Sequence, residues 1–547
     1  MMQLVKEYPI GKGIKLFSNK GPIVLVDGKV GYLFEWVDYY LEVPGNGEFK
    51  VFLGDEEAEV ISNNLYKITS KNYIGKSKLE IRKNGRTILR IDVEIISEKF
   101  AKIGKNKVED VNESTIGRVI ENYRTFVEAI TAELKRRALE LPFSIKSPTG
   151  FEFVESDDPV SELFAYHFLR NNKDRIISAY EEILKRPHKK LLEELGWVHF
   201  WEVSEIDEDT ILSIAQYPEN LIEVKTPGVE INGSRYAPLK LLQKEKYETF
   251  DTLENRFAKY FLSELINWSE RVLESFSEVN IGDETIEGLL HSLEYFWNDP
   301  IFSEVGEFTM FPYTSQVLLK REGYRDLLEL WKEFRAYSPF FGELNRVIEN
   351  KDVAKLYEYW CFFKLVEKLG KILGKKSLRI IIEPTGELHE SDSKEEVYAE
   401  FSNGWRLYYN KKLAPRKWSY SVSLRPDFSL FSGDPSDKRT RLIGVFDAKF
   451  KFEPVDLSKF ADEEKKMEKN PDLQTWAKLE DIYKMHTYKD ALNAQFAVVL
   501  YPGKRSIFYD LDRGKIESFT ISDTLRGNIR GVGYLGFIPE VIEDENF

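Results

Sequence analysis

The chain has 547 residues, 42% apolar and 31% charged, with a formal net charge of −14 at pH 7. That length exceeds what one hydrophobic core organises, and the composition excludes disordered and collagen-like classes, so several folded domains are expected. The acidic balance excludes a uniform coat on nucleic acid, the single Cys361 excludes disulfides and thiolate metal clusters, and the six histidines lack metal-ligand spacing.

In chain order, residues 1–110 read as a β-rich domain, a small sandwich or barrel of short strands. Its clearest signal is Asn84-Gly85 between alternating runs at 79–82 and 87–91, since both central residues of a type I′ turn need positive φ. Ile116, Val119, Ile120, Tyr123, Val127, Ile130 and Leu134 then recur at helical spacing and open a mainly helical domain over 111–345. Further helices are expected near 159–184, 253–276, 285–296 and 324–334. Asp251-Thr252-Leu253-Glu254-Asn255-Arg256 reads as a capped helix start, with Glu254 and Arg256 as candidates to lock this region onto the next domain or a partner.

From 346 to 547 helix and strand alternate. A helix is predicted over 353–373, strands at 378–383, 397–409, 420–430 and 442–450, a helix over 471–493, and strands at 496–501 and 506–509. The expected class is multidomain α+β: a β-rich start, a helical middle and a C-terminal α/β domain with a mixed sheet. Gly75-Lys76-Ser77 is preceded by Ser70 where a Walker loop needs glycine, so nucleotide binding of that kind is excluded. No apolar run reaches membrane-spanning length and the start lacks a signal-peptide core, which predicts a cytoplasmic protein with no membrane partner.

The chemistry concentrates in the last domain. In Leu442-Ile443-Gly444-Val445-Phe446-Asp447-Ala448-Lys449 an apolar strand ends on an acid and a lysine two residues apart, which point to the same side. Alone, such a pair also suits an exposed strand end. Pro426-Asp427 precedes a second apolar strand; if the two strands form a hairpin, Asp427 stands beside Asp447, and two adjacent buried acids call for a cation, best an oxygen-bound Mg²⁺. Asp434, in the intervening turn-like loop, is the alternative to Asp427. Glu358 shares a helix face with Phe362, Leu365 and Leu369, so it needs a partner, which could equally be backbone or a tyrosine. Between Asn403 and Lys451 eleven Lys and Arg face four acids, and Trp405, Tyr408, Tyr409, Trp418 and Tyr420 interleave with them, a pattern suited to nucleic acid or to an aromatic strand pair.

The order helix-Glu358, strand-Pro426-Asp427, strand-Asp447-Ala448-Lys449 resembles the PD-(D/E)XK nuclease superfamily. Tyr357-Glu358-Tyr359-Trp360, Arg425-Pro426-Asp427, Phe446-Asp447-Ala448-Lys449, the stretch from Asp481 to Ala491 and Val499-Leu500-Tyr501-Pro502-Gly503 resemble its McrC-related branch. Asp251 to Phe257 and Gly323-Tyr324-Arg325 resemble the segment before the nuclease domain in larger members. The resemblance implies a restriction-endonuclease-like domain over 346–547 with Glu358, Asp427, Asp447 and Lys449 as catalytic residues. It also implies Asp427, Asp447, Glu358 and the Ala448 carbonyl as ligands of Mg²⁺ or Mn²⁺. Arg425, Lys451, His486, Tyr488 and Lys489 are the expected nucleic-acid contacts, the last three equally readable as a packed helix face. DNA and a separate McrB-like AAA+ GTPase or ATPase subunit are the implied partners, with a homodimer left open. Two other readings stand beside this one: a catalytically silent adaptor, and a stand-alone nuclease acting on RNA or single strands.

Overall fold

The computed structural model describes residues 2–540 except 20, 46–48, 71–72, 98–99, 101–111, 113–114, 146–159, 227, 278–283, 313, 336–337, 385–394 and 451–482. The chain forms two compact units, Met1–His167 with Tyr337–Phe547, and Phe168–Ala336. This differs from the three consecutive domains predicted from sequence.

In the first unit, residues 2–96 build a seven-stranded and a five-stranded sheet. Leu41, Leu79 and Ile81 are fully buried there, each on an alternating strand face. The predicted hairpin is present: Gly75–Lys83 pairs with Arg86–Ile96, and Asn84 (φ 49°) and Gly85 (φ 79°) make the turn.

The C-terminal part is a ten-stranded mixed sheet. Its elements are α1 (Ile116–Glu140), β1 (Phe143–Ile145), α2 (Pro339–Asn350), α3 (Val353–Leu373), β2 (Arg379–Pro384), β3 (Glu395–Glu400), β4 (Arg406–Tyr409), β5 (Phe428–Phe431), β6 (Leu442–Ala448), β7 (Phe496–Tyr501), β8 (Ile507–Asp510), β9 (Gly514–Glu517) and β10 (Gly531–Gly536). The strand order is β1-β2-β3-β4-β5-β6-β7-β10-β8-β9. Each successive pair from β2 to β6 is antiparallel, whereas β1 is parallel to β2 and β6, β7 and β10 are mutually parallel. The central strands β6 and β7 are buried almost throughout, as continuous apolar runs covered on both faces should be. Gly444 is required at their contact, because a Cβ there would lie 2.2 Å from the Phe496 ring.

The stripe of α1 recognised in the sequence packs on α3, and β1 extends the sheet by parallel pairing with β2. A buried polar cluster ties these pieces together. Glu133 on α1 accepts from Trp360 Nε1 at 3.0 Å, and Arg137, 3% exposed, meets Glu133 at 3.3 Å, Glu540 at 2.8 Å and Glu367. The segment 116–145 therefore packs with the C-terminal sheet in the first unit, whereas the sequence reading placed it in a helical domain over 111–345. Strand prediction erred where polar turns interrupt apolar runs: 397–409 is two strands around a turn with Gly404 at φ 83°, and only 428–431 of 420–430 is a strand. Of the helix expected over 471–493, residues 483–491 are helical and 471–482 lie outside the described residues.

The second unit contains the expected helices Leu253–Phe276, Glu284–Trp297 and Tyr324–Arg335. It also holds an unpredicted ten-pair antiparallel ladder of Lys190–His199 with Lys240–Thr249. The Asp251-to-Arg256 motif is used inside this unit: Arg256 Nε donates to Asp251 at 2.6 Å, Asn255 Nδ2 donates to the His188 carbonyl at 2.9 Å, and Ser315 Oγ donates to Glu254. The lock onto another domain expected of Glu254 and Arg256 is thus an internal stitch. No helix among the described residues is long and apolar enough to cross a membrane.

One buried acid in this fold makes stability depend on pH. Glu395 on β3 accepts from Ser338 Oγ at 3.1 Å and from Phe340 N at 3.2 Å at the start of α2, yet burial pushes its carboxyl up to about 7. A carboxyl raised in the folded state binds its proton there more tightly than in the unfolded chain, so stability falls as pH rises from the ordinary glutamate range through about 7. Glu395→Gln keeps an acceptor without the charge. It is expected to raise stability by about 2 kcal/mol at pH 8 and to leave it nearly unchanged at pH 5, a contrast that urea denaturation at the two pH values would read.

Candidate active site

Helix α3 starts at Asp352, whose side chain accepts from Lys355 N, and its next turn carries Glu358 toward the end of β4. There Glu358 Oε1 accepts from Tyr409 Oη at 2.7 Å and Asn410 Nδ2 at 3.0 Å, while Oε2 pairs with Lys355 at 3.0 Å. Asn410, at φ 49°, also donates its backbone N to the Asp427 carbonyl at 2.7 Å, which ties the Glu358 anchor to the start of β5.

Asp427 precedes β5 and Asp447 sits near the end of β6; the pairing of Phe428 with Phe446 brings the two acids together. Asp427 Oδ2 accepts from Ala448 N at 2.7 Å. Asp447 is fully buried and meets two cations, Lys449 Nζ at 2.9 Å from Oδ2 and Lys484 Nζ at 3.2 Å from Oδ1. The Lys449 contact is an ion pair outside hydrogen-bonding geometry, so Oδ2 has no hydrogen bond among the described residues. Burial, followed by the charges of Asp447 and Glu358, pushes the Asp427 carboxyl well above the usual range. For Lys449 burial works to lower the pKa, but Asp447 and Asp427 outweigh it and the net shift is upward. Lys449 therefore carries a positive charge beside the two acids.

The structure thus gathers Asp427, Asp447, Lys449 and, through electrostatic coupling to Asp427, Glu358. It does not assemble the predicted three-carboxylate ligand set, for no group of three or more His, Cys, Asp or Glu suited to a metal occurs among the described residues. The reason is local: both Glu358 oxygens are engaged by Lys355, Tyr409 and Asn410. Asp434 lies away in an exposed loop, paired with Arg406 at 2.7 Å.

Of the expected nucleic-acid contacts, Arg425 is exposed and donates Nε to the Asn410 carbonyl at 2.8 Å. Tyr488 is buried, donates Oη to the Arg425 carbonyl at 3.2 Å and feels the charges of Asp447 and Asp427. It packs beside the acids and offers no exposed phosphate contact. Lys489 pairs with Asp490 at 2.9 Å, His486 is exposed, and Lys451 lies outside the described residues. Tyr408 and Tyr409 are core residues on β4 and Trp418 packs on Phe431 at 4.8 Å, so these three aromatics serve the fold. Arg406 and Lys411 also pair with acids, which reduces the local basic excess.

Lys484 is the residue that sequence reasoning missed. It lies four residues before Tyr488 on the helix over 483–491, hence on the same face, but that spacing carries no signal of its pairing with Asp447. With Arg425, Leu424, Tyr483, Thr487 and Tyr488 it lines a cavity of about 460 Å³ beside the acids. Lys484→Met should lower turnover roughly 10–100-fold, because Asp447 loses one of the two cations that orient it. Single-turnover cleavage kinetics would measure the loss, and an unchanged rate would remove Lys484 from the site.

Two family models match separate stretches of the chain. Residues 120–331 match a domain of unknown function, DUF2357. No curated protein matches the chain. Residues 355–506, which carry Glu358, Asp427, Asp447 and Lys449, match the family model described as PD-(D/E)XK nuclease superfamily.

Proposed function

We propose that this protein is a divalent-metal-dependent DNA endonuclease and the cleaving subunit of a McrBC-like modification-dependent restriction or defence complex. Target choice and energy would come from a separate AAA+ GTPase or ATPase. The observation that carries the nuclease reading is the Asp427–Asp447–Lys449 cluster at the ends of two adjacent strands, inside the segment that matches a nuclease superfamily. The restriction-complex reading rests on the motif resemblance to the McrC-related branch.

The donor set fits a hard divalent cation. Two carboxylates lie together in a buried setting, one with an oxygen that has no hydrogen bond among the described residues and the other with its carboxyl driven toward the protonated form. Asp427 and Asp447 would hold Mg²⁺ or Mn²⁺, with the Ala448 carbonyl as a further oxygen and Glu358 as a charge one layer out. Such an ion supplies Lewis acidity, lowering the pKa of water and stabilising charge on a phosphate. Lys449 keeps a positive charge where negative charge grows on the scissile group, and Lys484 holds Asp447 from the other side. Arg425 and Lys484, at the rim of the cavity, can bind the adjoining phosphodiester backbone.

The test is cleavage of supercoiled plasmid by EDTA-treated protein, with Mg²⁺ or Mn²⁺ restored and with or without the AAA+ subunit. Nicking that requires the added ion is the expected result, stimulated by the motor and its nucleotide. Undiminished cleavage in EDTA would overturn the metal assignment. No cleavage under any condition would favour the silent adaptor, and activity confined to RNA or single strands the stand-alone enzyme.

A further inference from the structure

Three parts of the site meet at one residue that carries no charge. Asn410 follows β4, and its backbone N–H continues the pairing of β4 with β5 by donating to the Asp427 carbonyl at 2.7 Å. In a regular antiparallel pair, two hydrogen-bonded facing residues exchange both backbone bonds. Asn410 has its φ in the left-handed region, at 49°, and its carbonyl accepts instead from Arg425 Nε at 2.8 Å. Its side-chain amide reaches in a third direction, to Glu358 Oε1 at 3.0 Å. One residue thus holds the backbone of Asp427, the guanidinium at the cavity rim and the helix carboxylate.

The residue type fits this position. Positive φ is open to glycine and, among residues with a Cβ, most readily to asparagine and aspartate. Glycine would make the turn and both backbone bonds but supply no amide to Glu358, and aspartate would set a second carboxylate against it. Neighbours on either side fix the turn. Tyr409 Oη donates to Glu358 at 2.7 Å and its ring stacks on Tyr359, while Lys411 pairs with Glu396. Three residues on, Leu413 and Leu424 exchange backbone bonds at 2.7 and 3.1 Å. Tyr488 Oη donates to the Arg425 carbonyl at 3.2 Å, so Arg425 is held by its main chain as well as by its guanidinium.

We propose that Asn410 is a positioning residue whose left-handed turn sets Arg425, as a phosphate contact, at a fixed distance from Asp427, as an ion ligand. The inference rests on the reading of the acid and lysine cluster as a nuclease site. It adds that backbone geometry at an uncharged residue couples substrate binding to the placement of the acids. Charge-assisted contacts of arginine with phosphate are directional, and a shift of about 1 Å can cost on the order of 10²-fold in rate, so a relaxed turn should cost binding and turnover together.

The test is a double-mutant cycle on the affinity of the full chain for a duplex oligonucleotide, read by fluorescence anisotropy in EDTA and so apart from ion-dependent cleavage. Arg425→Ala should weaken binding about 10-fold in the unmodified chain and in Asn410→Gly, but less than about 2-fold in Asn410→Val, whose β-branched side chain opposes the turn. Asn410→Val by itself should weaken binding about 10-fold and lower cleavage with Mg²⁺ roughly 100-fold, whereas Asn410→Gly loses only a fewfold in cleavage, through Glu358. Asn410→Ala, which opposes the turn less, replaces Asn410→Val if thermal melting shows that variant unfolded at the assay temperature. An Arg425→Ala effect of equal size in the unmodified and Asn410→Val chains would overturn the proposal, as would Asn410→Gly binding as poorly as Asn410→Val, or Arg425→Ala leaving the affinity of the unmodified chain unchanged. Each of these results is compatible with intact plasmid cleavage, so the proposal can fail while the nuclease reading stands; absence of cleavage under every condition removes that reading instead.

Discussion

Asp447→Asn is expected to lower divalent-ion-dependent cleavage by roughly 10²–10³-fold while the chain stays folded. The carboxylate is wholly buried, has one oxygen without a hydrogen bond among the described residues and is flanked by Lys449 and Lys484, so under the proposed function its charge would serve both the ion and the two lysines. Asparagine keeps the size and removes that charge. It relieves the repulsion on Asp427 but leaves two lysines facing a neutral group, opposing effects that should leave the melting temperature little changed. Glu358→Gln should cost much less, about 10-fold, because its oxygens already have Lys355, Tyr409 and Asn410 as partners. Plasmid-nicking rates beside thermal melts would measure both variants. If Asp447→Asn cut as fast as the unmodified protein, or Glu358→Gln proved the more damaging, the assignment of roles would fail.

Arg137→Ala is expected to destabilise the first unit by about 3–5 kcal/mol, among the largest effects of any single substitution in this chain. Arg137 is 3% exposed and is the cation for Glu133, itself buried, and for Glu540 and Glu367. Its removal leaves the Glu133 carboxylate in the interior with Trp360 Nε1 and the Glu540 backbone N as its donors among the described residues. Urea denaturation followed by tryptophan fluorescence should show the transition of this unit moved to lower denaturant. The experiment also tests the architecture, because α1 would be dispensable to the C-terminal sheet if it belonged to a separate helical domain. A variant as stable as the unmodified chain would contradict the packing of α1 on α3.

The core of the site was legible because strand physics is local. Alternation places Asp447 and Lys449 on one side of the chain at the end of β6, and the apolar run before them marks a buried strand; spacing made them candidates, while their roles came from the family resemblance. Asp427 was legible through the proline before it and the apolar strand after it. Lys484 was not, since its role depends on a helix packing against a strand end 37 residues earlier, a separation no periodicity encodes. Tyr488 was visible but open between phosphate contact and packing; burial beside the acids decided for packing. The basic and aromatic run over 403–451 misled in part, because composition cannot tell an Arg406 paired with Asp434 from one offered to solvent.

By itself the sequence determined the periodic elements, the Asn84-Gly85 hairpin, the long helix with Glu358 on its apolar face and the acids and lysine of the two strands. Only the tertiary structure decided that α1 and β1 join the C-terminal sheet, that Glu358 is anchored by Tyr409, Asn410 and Lys355, and that the helix over 208–216 buries Thr210 and Ser213. The reason is physical: backbone geometry and side-chain periodicity act over a few residues and are written in consecutive letters. Burial, charge pairing and strand order depend on segments tens to hundreds of residues apart, whose meeting is set by the packing of the whole chain.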